Sequence, residues 1–87
     1  HRQEYLAVDE SRENLQRAFG RAVRQSRTDA GLSQEDLADR SGLHRTYVSQ
    51  IERGLRSPSL VAISALAHAL GTTAYELFRV VEQELDS

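Results

Sequence analysis

The chain contains no cysteine, which removes disulfide cross-links and thiolate metal sites from consideration. Its three histidines, His1, His44 and His68, are scattered, so neither a metal site nor any other cofactor is expected. His44 reads as a residue near a helix start and His68 as one at a helix interface. Methionine is absent, so His1 is not an initiator and reads as a trimmed or appended start. No apolar run approaches the roughly 20 residues of a membrane span. No stretch resembles a signal peptide, and the expectation is a cytoplasmic protein. No segment alternates apolar and polar residues at period two, which leaves no candidate strand. Lysine is missing altogether, so all eleven Lys-or-Arg positions are arginine. Arginine presents a bidentate fork to phosphate or guanine where lysine presents a point charge. A GC-rich codon bias is nevertheless the better explanation of that absence.

What the 87 residues do contain suits one small domain. A chain of this length buries roughly 60–65% of its unfolded surface, so its stability margin is thin and self-association would help. A formal net charge of −2 speaks weakly against nucleic acid, but its distribution speaks for it. Residues 12–56 hold nine arginines against six acids, a surplus of +3, while residues 1–10 carry −2 and residues 57–87 carry −3.

The apolar spacing predicts an all-α fold of five helices. Helix 1 is expected from Ser11 or Asn14 to Ala30, with an inward stripe of Leu15, Phe19, Ala22, Val23 and Ala30. Gly20 inside it costs about 1 kcal/mol against alanine and suggests a close helix crossing. Helix 2 follows Ser33, a good N-cap, with Gln34, Glu35 and Asp36 in its first turn and Leu37 and Ala38 facing inward. Helix 3 runs from about His44 to Arg53 and buries Val48 and Ile51. Pro58, the only proline, keeps it from continuing. Helix 4, about Ser59 to Leu70, has a stripe of Leu60, Ile63, Leu66, Ala67 and Leu70, broadened by Val61, Ala65 and Ala69. A helix so apolar all round is expected at the centre. Thr73-Ala-Tyr-Glu76 reads as a capping box that opens helix 5, with a stripe of Ala74, Leu77, Phe78, Val81 and Leu85. Residues 1–10 read as a flexible acidic arm, with Tyr5, Leu6 and Val8 as its docking residues if it docks; residues 11–87 form the domain.

Helices 2 and 3 are separated by only about three residues, with Gly42 at the bend. That is the spacing of a helix-turn-helix, in which the two helices cross at roughly 90–120°. With Val48 and Ile51 inward, helix 3 turns Arg45, Thr46, Tyr47, Ser49, Gln50 and Arg53 outward. The major groove of B-DNA admits one such helix, where arginine can fork onto guanine and glutamine onto adenine. A merely solvated face is the plainer reading of the same residues. No phosphate loop and no nucleophile–base signature is present, so an enzyme is not expected.

Gln34-Glu-Asp-Leu-Ala38, Ser41-Gly-Leu43 and Thr46-Tyr-Val-Ser-Gln-Ile-Glu-Arg-Gly54 together resemble the Xre family, the phage-repressor-like helix-turn-helix proteins. Pro58-Ser-Leu60 and Leu66-Ala-His-Ala-Leu70-Gly71 extend the resemblance over about residues 14–80. The block His44–Gly54 is most similar to the small controller proteins of restriction-modification systems. The resemblance implies a DNA-binding transcriptional regulator that acts as a homodimer on a two-fold symmetric operator. It implies base reading by Arg45, Thr46 and Gln50. Gln34, Tyr47, Ser49 and Arg53 fall at positions that touch the DNA backbone or groove wall. Gln34 has a second reading as a plain helix-start residue, and Ser49 as a packing residue. Arg56, in the loop after Gly54, reads as a phosphate contact or as simply exposed. Arg27 and Glu52 match a pair that joins helices 1 and 3 in some members, which would make Glu52 structural. Arg45 departs from the glutamine of some phage members, which favours guanine over adenine there. Helix 5, through Leu77, Phe78, Val81 and Leu85, is expected to form the dimer surface together with the outer edge of helix 4; simple core packing is the alternative. Further partners to consider are RNA polymerase or a toxin. The rival class is an antitoxin-like interaction module with secondary DNA binding.

Overall fold

The computed structural model describes the backbone of residues 2–86 and the side chains of residues 10–86. Five helices follow one another: α1 (Arg2–Asp29), α2 (Gln34–Ser41), α3 (Arg45–Glu52), α4 (Leu60–Ala69) and α5 (Ala74–Asp86). No strand occurs among the described residues, and no single helix there is long and apolar enough to cross a membrane.

α1 begins earlier than the expected Ser11 or Asn14. The side chains of residues 1–9 lie outside the described residues, and so do the expectations about Tyr5, Leu6 and Val8; the backbone of the expected arm continues α1 as helix from Arg2. From Ala18 onward α1 enters the core with Ala18, Phe19, Ala22 and Val23 buried. Leu15 was expected in that stripe, yet it is 41% exposed, because it lines an open surface groove beside Ser57, Pro58, Ile63 and Phe78 rather than the closed core. Ala30, past the last helical residue, is exposed too. Gly20 is buried, and a Cβ placed on it would collide with the carbonyl of Ile51 and come within 2.6 Å of the Glu52 carbonyl oxygen. Backbone therefore packs on backbone where α1 crosses the end of α3, and only glycine leaves the room.

Local chemistry sets the other boundaries. The Ser33 hydroxyl accepts the Asp36 N–H at 2.9 Å, and the Asp36 carboxylate accepts the Ser33 N–H at 3.0 Å. Two orphan donors of the α2 start are thereby satisfied reciprocally. The Ser59 hydroxyl caps α4 through the Ala62 N–H at 3.0 Å. At α5 only half of the expected box forms: the Thr73 hydroxyl accepts the Glu76 N–H, whereas the Glu76 carboxylate takes the Arg79 guanidinium at 2.9 Å.

Leu37, Val48, Ile51, Leu66 and Val81 meet α1 in the centre of the molecule. α4 is less central than its composition suggests. Ala62, Leu66 and Ala67 are buried, while Leu60 is 86% and Val61 78% exposed: these two lie on the open side of the first turn, whose Ala62 faces the core. Leu77 and Val81 of α5, expected at a dimer surface, are core residues instead, at 4% and 0% exposure. A side chain enclosed by its own protomer has no surface left for a second one. Phe78 is half-buried and packs against Phe19 with ring centroids 5.5 Å apart. Leu85 is 44% exposed. Arg21 reaches across to Glu84 in a bidentate pair, at 2.7 and 2.9 Å, and ties α5 to α1.

Candidate nucleic-acid interface

α2 ends at Gly42, whose φ of 73° is the left-handed conformation that terminates a helix without a Cβ penalty. The backbone N–H of Leu43 closes onto the Ala38 carbonyl at 3.1 Å. His44, in extended conformation, is the N-cap of α3 and makes no side-chain cap bond. Three residues thus turn the chain from one helix to the next, and the small buried Ala38 lets the two helices approach.

Val48, Ile51 and Glu52 are the buried residues of α3. Arg45, Thr46 and Arg53 are exposed, and Tyr47, Ser49 and Gln50 are half-buried. The outward side of α3 therefore carries all the expected DNA-contacting residues but Gln34 of α2 and Arg56, and Arg56 of the following loop joins it through Gln50.

Glu52 is the acid that such a face should not present. It is 6% exposed and turned inward. Its carboxylate accepts the Arg27 Nε–H at 2.6 Å and Nη2–H at 3.1 Å, and the Gln34 Nε2–H at 3.0 Å. The third guanidinium nitrogen of Arg27, Nη1, donates to the Leu32 carbonyl at 2.8 Å. The hydrogen bond to Glu52 raises the Arg27 pKa further above its ordinary value, against the lowering effect of burial. The charge on α3 is neutralised from behind, so the outward face keeps the sign of its arginines.

Gln34, expected as a phosphate anchor, stands at the first position of α2 and is half-buried against Glu52. Since an ionised carboxylate only accepts, the Gln34 amide must point its NH2 group inward. One of its two N–H donors is committed and the other is left for a second acceptor. Tyr47 accepts the Ser59 backbone N–H on its hydroxyl at 3.3 Å, which joins α3 to the start of α4. Arg53 bonds back to the Ser49 carbonyl at 3.4 Å. Sequence reasoning missed the partners of Gln34, Tyr47 and Gln50. These join residues across helix ends and loops, outside the reach of any helical repeat.

A short helix, a three-residue turn and a second helix with a cationic outer face define a helix-turn-helix protein. The chain belongs to that family, a family of DNA-binding transcription regulators: residues 23–77 match the helix-turn-helix family model. Control protein C.BamHI of Bacillus amyloliquefaciens is 46% identical over 65 residues, which is 74% of this chain and 80% of the relative. The structure of the restriction-modification controller protein C.AhdI from Aeromonas hydrophila shares 53% identity at a TM-score of 0.70, covering 71% of this chain and 94% of the other. A third, the controller protein C.Esp1396I as a tetramer on its natural 35 base-pair operator, shares 29% identity at a TM-score of 0.77, covering 84% and 96%.

Proposed function

We propose that this chain regulates transcription from the cytoplasm by binding a two-fold symmetric operator as a homodimer, with α3 in the major groove. The observation that carries it is the partition of α3: its one acid is buried and paired, and its polar outer residues all share the free face. Arg45 and Thr46, in the first helical turn, lead into the groove, where base edges are read. Arg53 lies at the far end, nearer a phosphate. Gln34, Tyr47 and Ser49 flank the groove. One α3 spans only a few base pairs, so specificity requires two of them about 34–36 Å apart on successive turns of one face. The exposed apolar residues suited to hold the pair are Leu85 and the open side of Phe78 on α5, with Leu60 and Val61 on the outer edge of α4. Control proteins among the relatives favour a restriction-modification setting over the antitoxin reading. RNA polymerase is then the further protein partner.

Sites selected from a random DNA library supply the test. Arg45→Ala is expected to lower affinity for the selected site and flatten preference at one base pair per half-site, by about 1–3 kcal/mol. Arg53→Ala is expected to weaken selected and scrambled duplexes alike and to reduce the salt slope by about 1 per protomer. Uniform losses for Arg45→Ala would remove it from the base-reading set.

A further inference from the structure

Gln50 has a partner that bears on how α3 reads DNA. Its Oε1 accepts the Arg56 Nη1–H at 3.3 Å. The same guanidinium lies over the Tyr47 ring, 5.1 Å from the centroid. Tyr47 is itself anchored by the Ser59 backbone N–H on its hydroxyl. Tyr47 and Gln50 are three residues apart and share one face of α3. Arg56 comes from beyond the helix. Gly54, with φ of 72°, reverses the chain so that the loop folds Arg56 back over that face.

To read adenine, glutamine must accept from N6 with its carbonyl and donate to N7 with its amide. In this structure the carbonyl half of that fork faces Arg56. The guanidinium, for its part, stands within hydrogen-bond distance of the tip of the Gln50 side chain, next to whatever that tip approaches. Only one of its five N–H donors is used by Gln50. The others can fork onto guanine. An arginine already held by a ring and a carbonyl also gives up less side-chain freedom on binding than a free one.

We infer that Gln50 is a positioning residue for Arg56, and that Arg56, braced by Tyr47 and Gln50, meets the base edge at this point of the interface. The inference rests on the reading of α3 as the DNA-contacting helix. It reassigns Gln50 from reader to support and Arg56 from the backbone to the bases.

The experiment compares the parent chain with Gln50→Ala, Arg56→Ala, the double variant and Gln50→Glu. Each is titrated on the selected duplex, on every single-base variant of it and on a scrambled duplex, with circular dichroism to establish that each is folded. Gln50→Ala and Arg56→Ala are expected to flatten preference at the same base pair, Arg56→Ala by about 5- to 150-fold. The double variant should lose no more than Arg56→Ala alone. Glutamate at position 50 still accepts from Arg56 but has no N–H for adenine N7. Gln50→Glu should therefore keep the base preference even if its charge weakens binding to all duplexes. The inference is overturned if the two alanine variants flatten different base pairs, if their losses add, if both lose uniformly, or if Gln50→Glu loses the preference. A parent chain with no site preference at all is a separate result, and it overturns the reading of α3 itself.

Discussion

Glu52 is an acid on a helix whose other outward residues suit contact with a polyanion, and its burial resolves the conflict. With side-chain exposures of 11% for Arg27 and 2% for Glu52, the two charges lie mostly out of water. Such a pair is tolerated when its remaining donors and acceptors are met. Here Leu32 and Gln34 complete the set, and no buried side-chain nitrogen or oxygen among the described residues lacks a partner. Glu52→Ala would leave the Arg27 guanidinium buried and unpaired, at an expected cost of about 3–5 kcal/mol. Urea melts measure it. A change below about 1 kcal/mol would mean that the pair behaves as an exposed one.

Among the elements, α2 depends most on its start. It has only eight residues, too few to persist without tertiary packing and a good cap. The Ser33 backbone N–H, and after it the Ser33 hydroxyl interaction, hold the Asp36 carboxyl below its ordinary value of 3.8. A depressed carboxyl contributes stability that is fully present above the unfolded value and is lost as pH falls through the folded one. Asp36→Asn keeps the hydrogen-bonding shape without the charge. Its melting temperature should lie below the parent's at neutral pH, and the gap should begin to narrow as the pH drops below about 4 and close as it falls through the lower folded value. Thermal melts across that range decide it; a gap that stays constant down to pH about 2 would show that the charge is irrelevant. The failure of the reciprocal half of the box at α5 has a local cause. Arg79, one turn beyond Glu76, draws that carboxylate forward, donating from Nε and Nη2 to the same oxygen, Oε2.

For the whole molecule, association with a second copy depends on the apolar surface that the protomer leaves open. Burial of Leu77 and Val81 in the protomer separates two roles that one stripe of α5 suggested. Substitution of Val81 by a charge would unfold the domain and say nothing about association. Leu85→Glu changes a residue that is 44% exposed, so helicity should stay near native while dimers dissociate. Operator affinity should fall with them, because two half-sites no longer bind as one unit. Sedimentation velocity and circular dichroism on the same sample check this. A Leu85→Glu chain that remains dimeric would move the interface off the end of α5.

Helix identity was legible in the sequence because its causes are local. Apolar residues at 3.6-residue spacing, Ser33 and Ser59 as caps, and Gly42 at the turn each act within a few neighbours. The inward residues of the helix-turn-helix, Leu37, Ala38, Val48 and Ile51, could be read from the same spacing, and so could the polar face of α3 opposite them. A conspicuous Gly20 in mid-helix announced a close crossing, though not its partner. Tertiary structure alone decided the rest. Leu60 and Leu66 look alike in sequence, but one is 86% exposed and the other 0%, because spacing tells that a face is apolar and not what covers it. The contacts of Glu52 with Gln34 and of Gln50 with Arg56 depend on how α2 crosses α3 and on how the loop after Gly54 returns. Side-chain partners of that kind are set by the angles at which helices pack, and those angles follow from the shapes of the whole core rather than from any one stretch of chain.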